Sequence, residues 1–100
     1  MDKYTVRLYA RAYRDLDEIY AYIACNLLEP GTASELVRQL ESAILSLQQL
    51  PDRGAVRNRG IYANGDYRQL FVKNYVIVYR VLHESKEVHV VTVCYAASNF

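Results

Sequence analysis

Apolar and polar residues alternate from Tyr4 to Tyr9, with Tyr4, Val6 and Leu8 on one side and Thr5, Arg7 and Tyr9 on the other. That is the period of a half-buried strand. From Ala12 the period lengthens, and Ala12, Leu16, Ile19, Tyr20, Ile23 and Leu27 trace one helical stripe with Asp15, Asp17 and Glu18 on or near its polar side. Glu29-Pro30-Gly31 breaks this helix. Thr32 or Ser34 can cap a second one, whose stripe is Ala33, Leu36, Val37, Leu40, Ile44 and Leu47 and whose end is set by Leu50-Pro51 and Gly54. The short break folds the two helices back on each other as an antiparallel pair facing one core.

Residues 52–66 are rich in glycine and asparagine and read as a loop or a broken edge strand. Period-two, β-branched and aromatic runs then predict strands at about 67–72, 75–82 and 87–95. The first two are separated only by Lys73-Asn74, a hairpin signature in which Asn tolerates the positive φ of a tight turn. The order β-α-α-β-β-β predicts an α+β fold: an N-terminal strand, an antiparallel helical hairpin, then a three-strand antiparallel meander with the helices on one sheet face.

The chain has 100 residues, 52% hydrophobic and 23% charged, which suits a single domain over 1–100 that folds without disulfides or metal. No apolar run approaches the roughly 20 residues needed to cross a bilayer, and the N-terminus lacks the apolar core of a signal peptide. The expected location is the cytoplasm, without membrane contact. Cys25 and Cys94 have no metal-binding spacing and are expected to be reduced packing residues; no metal or other cofactor is implied. His83 falls in a turn and His89 in a strand, and neither has a Ser, Cys or Asp partner by motif.

The net charge of +1 conceals a segregation along the chain. Residues 15–52 carry seven acids against Arg38 alone, a net of −6, whereas residues 53–80 carry Arg53, Arg57, Arg59, Arg68, Lys73 and Arg80 against Asp66, a net of +5. An acidic helical side and a basic sheet side let one small domain serve two differently charged partners. Arg68 and Arg80 lie near the open end of the predicted hairpin, where antiparallel pairing brings two like charges close, an arrangement that an anionic partner would justify. Their faces depend on the turn. Two loop residues set Arg68 with Tyr75, Ile77 and Tyr79; three set it with Val76, Val78 and Arg80. Arg53, Arg57 and Arg59, in the loop, suit contact with nucleic acid or with an acidic protein surface. Most of the ten tyrosines fit the edge of the core with the phenol oxygen reaching water; Tyr95 differs in lying near the chain end.

The ordered set Val6, Ala12-x-x-Asp15-Leu16-x-Glu18-Ile19-x-x-Tyr22-Ile23, Ala33, Ile44-x-x-Leu47, Leu50-Pro51-x-x-Gly54, Tyr67-Arg68-x-Leu70 and Tyr75-Val76-Ile77-x-Tyr79-Arg80-Val81 resembles the RelE/ParE superfamily of type II toxin–antitoxin toxins over nearly the whole chain. The resemblance implies a growth-inhibiting toxin neutralised by a cognate antitoxin, associated with plasmid stabilisation, and touching DNA only through an antitoxin complex. Within the superfamily, RelE-like members are ribosome-dependent endoribonucleases that cut messenger RNA. Such chemistry needs a base for the 2′ proton and cations for the phosphorane oxygens; Arg68, Lys73, Arg80 and Tyr95 are the residues that would supply it here. Val76 stands where RelE-like members often carry arginine, and Tyr95-Ala96-Ala97-Ser98 lacks the basic residues usual after the last strand. ParE-like members instead bind DNA gyrase and trap its cleaved-DNA complex, which requires surface recognition and no catalytic set. The Pro51-x-x-Gly54 exit and the Tyr67-Arg68-x-Leu70 strand are more similar to this branch, with Arg57, Arg59, Arg68, Arg80 and Tyr95 as target or antitoxin contacts. A third reading is a degenerate toxin retained as an antitoxin-binding module.

Overall fold

The structure, a computed structural model, describes residues 3–56 and 67–97. Strand β1 (Thr5–Leu8) leads into helix α1 (Ala10–Ala21), a π-helical turn (Tyr22–Asn26) and helix α2 (Pro30–Ser46), followed by β2 (Ala55–Val56), β3 (Tyr67–Val72), β4 (Tyr75–Leu82) and β5 (Glu87–Tyr95). The five strands form one sheet in the order β1-β5-β4-β3-β2. β1 runs parallel to β5, with Val6 opposite Val88, and the other neighbours are antiparallel. The expected α+β arrangement is therefore present, with the two-residue β2 added at an edge.

One sheet face packs on the helices. Leu16, Ile19 and Ile23 meet Leu36, Leu40, Ile44 and Leu47 from the second helical segment, and all rest on Ile77, Tyr79, Val88, Val90 and Val93. Burying one such aliphatic side chain contributes about 1.5–3 kcal/mol, so this stripe-on-sheet contact dominates the stability of the fold.

Four local details depart from the sequence expectation. The stripe of α1 does not run unbroken to Leu27: the Leu27 amide bonds the Tyr22 carbonyl five residues back at 3.2 Å, and the wider turn leaves Ile23 buried but Leu27 exposed. Neither Thr32 nor Ser34 caps α2. Its first residue is Pro30, whose fixed φ and missing N–H suit that place. In the hairpin, Val72 pairs with Tyr75 across a two-residue loop, and Lys73, not Asn74, takes the positive φ of 55°. Cys25 is exposed rather than packed, and Cys94 is half-buried; both are free thiols.

Asp15 departs further. It was expected on the polar side of α1, yet its side chain turns to β5, where it accepts hydrogen bonds from the Thr92 hydroxyl and from the Val93 amide at 3.1 Å. The register of β4 and β5 slips there, from Val78 opposite Thr92 to Tyr79 opposite Val90, leaving Val91 as an extra residue. A β-bulge disrupts the ladder, and the helical carboxylate meets the strand at that point.

Candidate functional site

The two-residue hairpin loop decides the arginine question. Arg68 pairs with Tyr79, and Arg80 with Tyr67. The arginines are neighbours in register but point to opposite faces, because successive residues of a strand alternate. The expectation that the hairpin brings their charges together is thereby corrected.

Arg68 lies on the helix side and is held internally. Its Nη1 donates to the Gly54 carbonyl at 2.7 Å and to the Asp52 carbonyl at 3.4 Å, while Nε lies 3.5 Å from the Asp52 carboxylate. One planar fork thus grips both the backbone and the acid of the segment leaving α2, a geometry that lysine cannot reproduce. Beside it the Gly54 amide donates to the buried Tyr79 hydroxyl at 2.9 Å. Burial is the main cause that raises the Tyr79 phenol above its usual value, and the hydrogen bond from Gly54 partly opposes it.

Arg80 lies on the other side. Its guanidinium sits 5.7 Å from the centre of the Tyr67 ring, a cation–π distance. Its Nε is buried without a hydrogen-bond partner. Val76 and Val78, on the same side of β4, are also buried, so this is not a bare cationic sheet surface. Arg57 and Arg59 lie outside the described residues.

Lys73 and Tyr95 meet in a different place, a groove of about 1170 Å³ between the tip of the helical hairpin and the β3–β4 turn. Ile19, Ile23, Leu36 and Val93 contribute its apolar lining, and Tyr22, Tyr75 and Tyr95 bring three phenols to it. The Tyr75 and Tyr95 rings stand edge to face with centroids 5.7 Å apart. The Tyr75 phenol is pushed up, first by burial and then by the neighbouring phenols of Tyr95 and Tyr22. Glu18, Glu35 and Asp15 make the groove acidic against the single base Lys73. Of the site candidates among the described residues, the fold gathers Lys73 and Tyr95 in this groove. Arg68 and Arg80 stand elsewhere, on separate faces.

Both histidines have polar partners, most of them distant in sequence. His83 Nδ1 lies 2.8 Å from the Tyr4 hydroxyl, and its Nε2 lies 3.6 Å from the Asp52 carboxylate that also meets Arg68. His89 repeats the pattern, with the Tyr9 hydroxyl 3.3 Å from Nδ1 and Glu87 3.0 Å from Nε2. Arg7 reaches Glu87 at 3.2 Å. His89 and then Arg7 hold the Glu87 carboxyl below its ordinary value. Among the described residues no group of three His, Cys, Asp or Glu is placed to hold a metal ion, and no helix is long and apolar enough to cross a membrane.

Residues 6–100 match the family model described as ParE toxin of type II toxin-antitoxin system, parDE. No curated protein sequence matches the chain. Solved structures are similar in fold. A chromosomal ParDE toxin–antitoxin system from P. aeruginosa superposes with a TM-score of 0.76 at 23% identity, covering 93% of this chain and 96% of that one. The toxin–antitoxin complex RelBE2 from Mycobacterium tuberculosis gives 0.63 at 24% identity, covering 98% and 97%. The isolated RelE toxin of E. coli gives 0.64 at 17% identity, covering 96% and 87%.

Proposed function

The chain belongs to the ParE toxins of type II toxin–antitoxin systems, and on that footing we propose that it arrests growth by binding DNA gyrase and trapping its cleaved-DNA complex, and that a cognate antitoxin neutralises it. The match to the ParE family model over residues 6–100 carries this reading. Geometry supports it: Arg68 and Arg80, two of the cations a nuclease reading needs, point to opposite sheet faces, and Lys73 with Tyr95 lies in a third place. A phosphoryl-transfer centre requires its groups to converge on one phosphorus. Surface recognition has no such requirement.

In this reading Arg80, Arg57, Arg59 and Tyr95 contact the target or the antitoxin. Arg68 acts indirectly, by fixing residues 52–54 at the root of the segment that carries Arg57 and Arg59. The antitoxin partner is proposed from the similar ParDE and RelBE structures, which are toxin–antitoxin assemblies.

Purified protein added to gyrase and supercoiled plasmid should accumulate linear DNA after detergent and protease treatment, and cells expressing it alone should filament with transcripts intact. Rapid cleavage of messenger RNA on translating ribosomes, with gyrase unaffected, would replace this reading by the RelE-like one. Undisturbed growth at good soluble expression would instead identify a degenerate, antitoxin-binding toxin.

A further inference from the structure

On the sheet face turned away from the helices, the strand registers set Tyr67, Arg80, His89 and Arg7 in one row across β3, β4, β5 and β1: Tyr67 pairs with Arg80, Arg80 with His89, and His89 with Arg7. Directly paired residues share a face, so two guanidiniums and an imidazole stand side by side over roughly 10 Å, two strand spacings. Like charges at neighbouring sheet positions repel, and the fold alone gains nothing from such a row.

One carboxylate serves two of the three. Glu87, two residues before His89 on β5, meets His89 at 3.0 Å and Arg7 at 3.2 Å. Arg80 is left over: it has no hydrogen-bond or ion-pair partner among the described residues, and its Nε is buried and unbonded beside the Tyr67 ring. Leaving a charged donor desolvated and unbonded is costly, and an anion from outside the chain is what would satisfy it. Tyr9 flanks the row. It is 42% exposed, with its ring centre 5.6 Å from that of His89, so aromatic surface stands next to the cations.

We propose that the row of Arg7, His89 and Arg80 is a phosphodiester site that takes the DNA backbone of the trapped gyrase complex, with Arg80 as its principal contact. The assignment rests on the gyrase reading above and deepens it, since it gives Arg80 to the DNA rather than to the protein. Charge and shape favour that occupant. A phosphodiester spreads its charge over two oxygens that can bridge Arg80 and Arg7 past the single carboxylate, and the planar fork of arginine matches that geometry. Tyr9 offers a face on which a sugar or a base can rest. A carboxylate from a protein partner would only duplicate Glu87, which Arg7 and His89 already hold.

The test uses the full-length toxin and a fluorescein-labelled DNA duplex, with binding read by anisotropy over a series of salt concentrations. Arg80→Met should weaken DNA binding roughly fivefold or more and lower the slope of log affinity against log salt by about one, the loss of one phosphate contact. Arg7→Gln should act in the same direction, and it serves the same purpose should the Arg80 variant misfold. Arg38→Gln, on helix α2, should change neither quantity. Arg80→Met should also trap less cleaved plasmid while binding DNA-free gyrase as tightly as wild type. Wild-type DNA affinity and salt slope in either the Arg80 or the Arg7 variant overturns the assignment, and so does weakened binding of Arg80→Met to DNA-free gyrase. A duplex RNA of the same sequence bound more tightly than the DNA, or a wild-type toxin that binds no DNA, overturns it as well. A wild-type toxin that binds the duplex, loses it in these variants and yet neither binds gyrase nor traps cleaved plasmid overturns the gyrase reading and leaves the phosphodiester site standing.

Discussion

Gly54 and Tyr79, 25 residues apart in sequence, are in contact through the amide of one and the hydroxyl of the other at 2.9 Å, and the room between them is that of a hydrogen atom. A Cβ on residue 54 would lie 2.6 Å from the Tyr79 oxygen and 2.6 Å from the Gln69 carbonyl. One of those neighbours is backbone in the sheet and the other a side chain fixed in the core, so neither can yield cheaply. Gly54→Ala should therefore destabilise the fold by more than about 2 kcal/mol, in the range of severe core overpacking. Tyr79→Phe keeps the ring but leaves the Gly54 amide unbonded, at about 1–3 kcal/mol. Urea denaturation of both variants checks the order, with the glycine change the costlier.

Asp15 ties α1 to the bulge in β5, and Asp15→Ala removes the acceptor for both the Thr92 hydroxyl and the Val93 amide. Hydrogen bonds to a charged group contribute about 1.5–3 kcal/mol each, and two buried donors would be left without partners. The expected loss is about 2–4 kcal/mol, with Asp15→Asn losing less because its amide oxygen can still accept. A shift of the denaturation midpoint with an unchanged slope would mark this as a native-state effect.

The strands and both helices were legible because period two and period 3.6 are local properties, as in Tyr75 to Leu82 or along Leu36, Leu40 and Ile44. Contacts that close across the sheet were not. Asp15 sits in a helical run of acids, and nothing in its neighbours marks it as the partner of residues 77 and 78 positions away. The faces of Arg68 and Arg80 turned on one residue of loop length, which the sequence left open and the Val72 to Tyr75 pairing resolves. The groove with Lys73 and Tyr95 was hidden for the same reason: its walls come from α1, α2, the β3–β4 turn and the ends of two strands.

Acid and base should weaken the fold through different groups. The Glu87 carboxyl is held below its ordinary 4.5 by His89 and Arg7, so the native state binds its proton less readily than the unfolded chain does. Its stabilising contribution is full above that ordinary value and fades as pH falls through the lowered native one; Glu87→Gln should flatten this acid limb. Tyr79 runs the other way. Its phenol is raised above 10.0, so stability is retained below pH 10 and lost as pH climbs through the native value. Tyr75 is raised too, so Tyr79→Phe should remove only part of the alkaline decline seen when melting temperature is followed against pH.

The two arginines should separate stability from toxicity. Arg68→Lys loses the fork that holds the Asp52 and Gly54 carbonyls, and for a partly exposed group this costs about 0.5–2 kcal/mol. Arg80→Met behaves differently, because it removes a guanidinium whose Nε is already buried without a partner and replaces it by an apolar chain that can still lie against Tyr67. Such exchanges are often neutral or stabilising. Arg80→Met should thus keep the denaturation midpoint within about 1 kcal/mol of wild type, or raise it, yet relieve growth arrest if Arg80 grips the target. Matched soluble expression with full toxicity would show that this arginine serves the sheet alone, whereas loss of toxicity from an equally stable protein leaves recognition as its role.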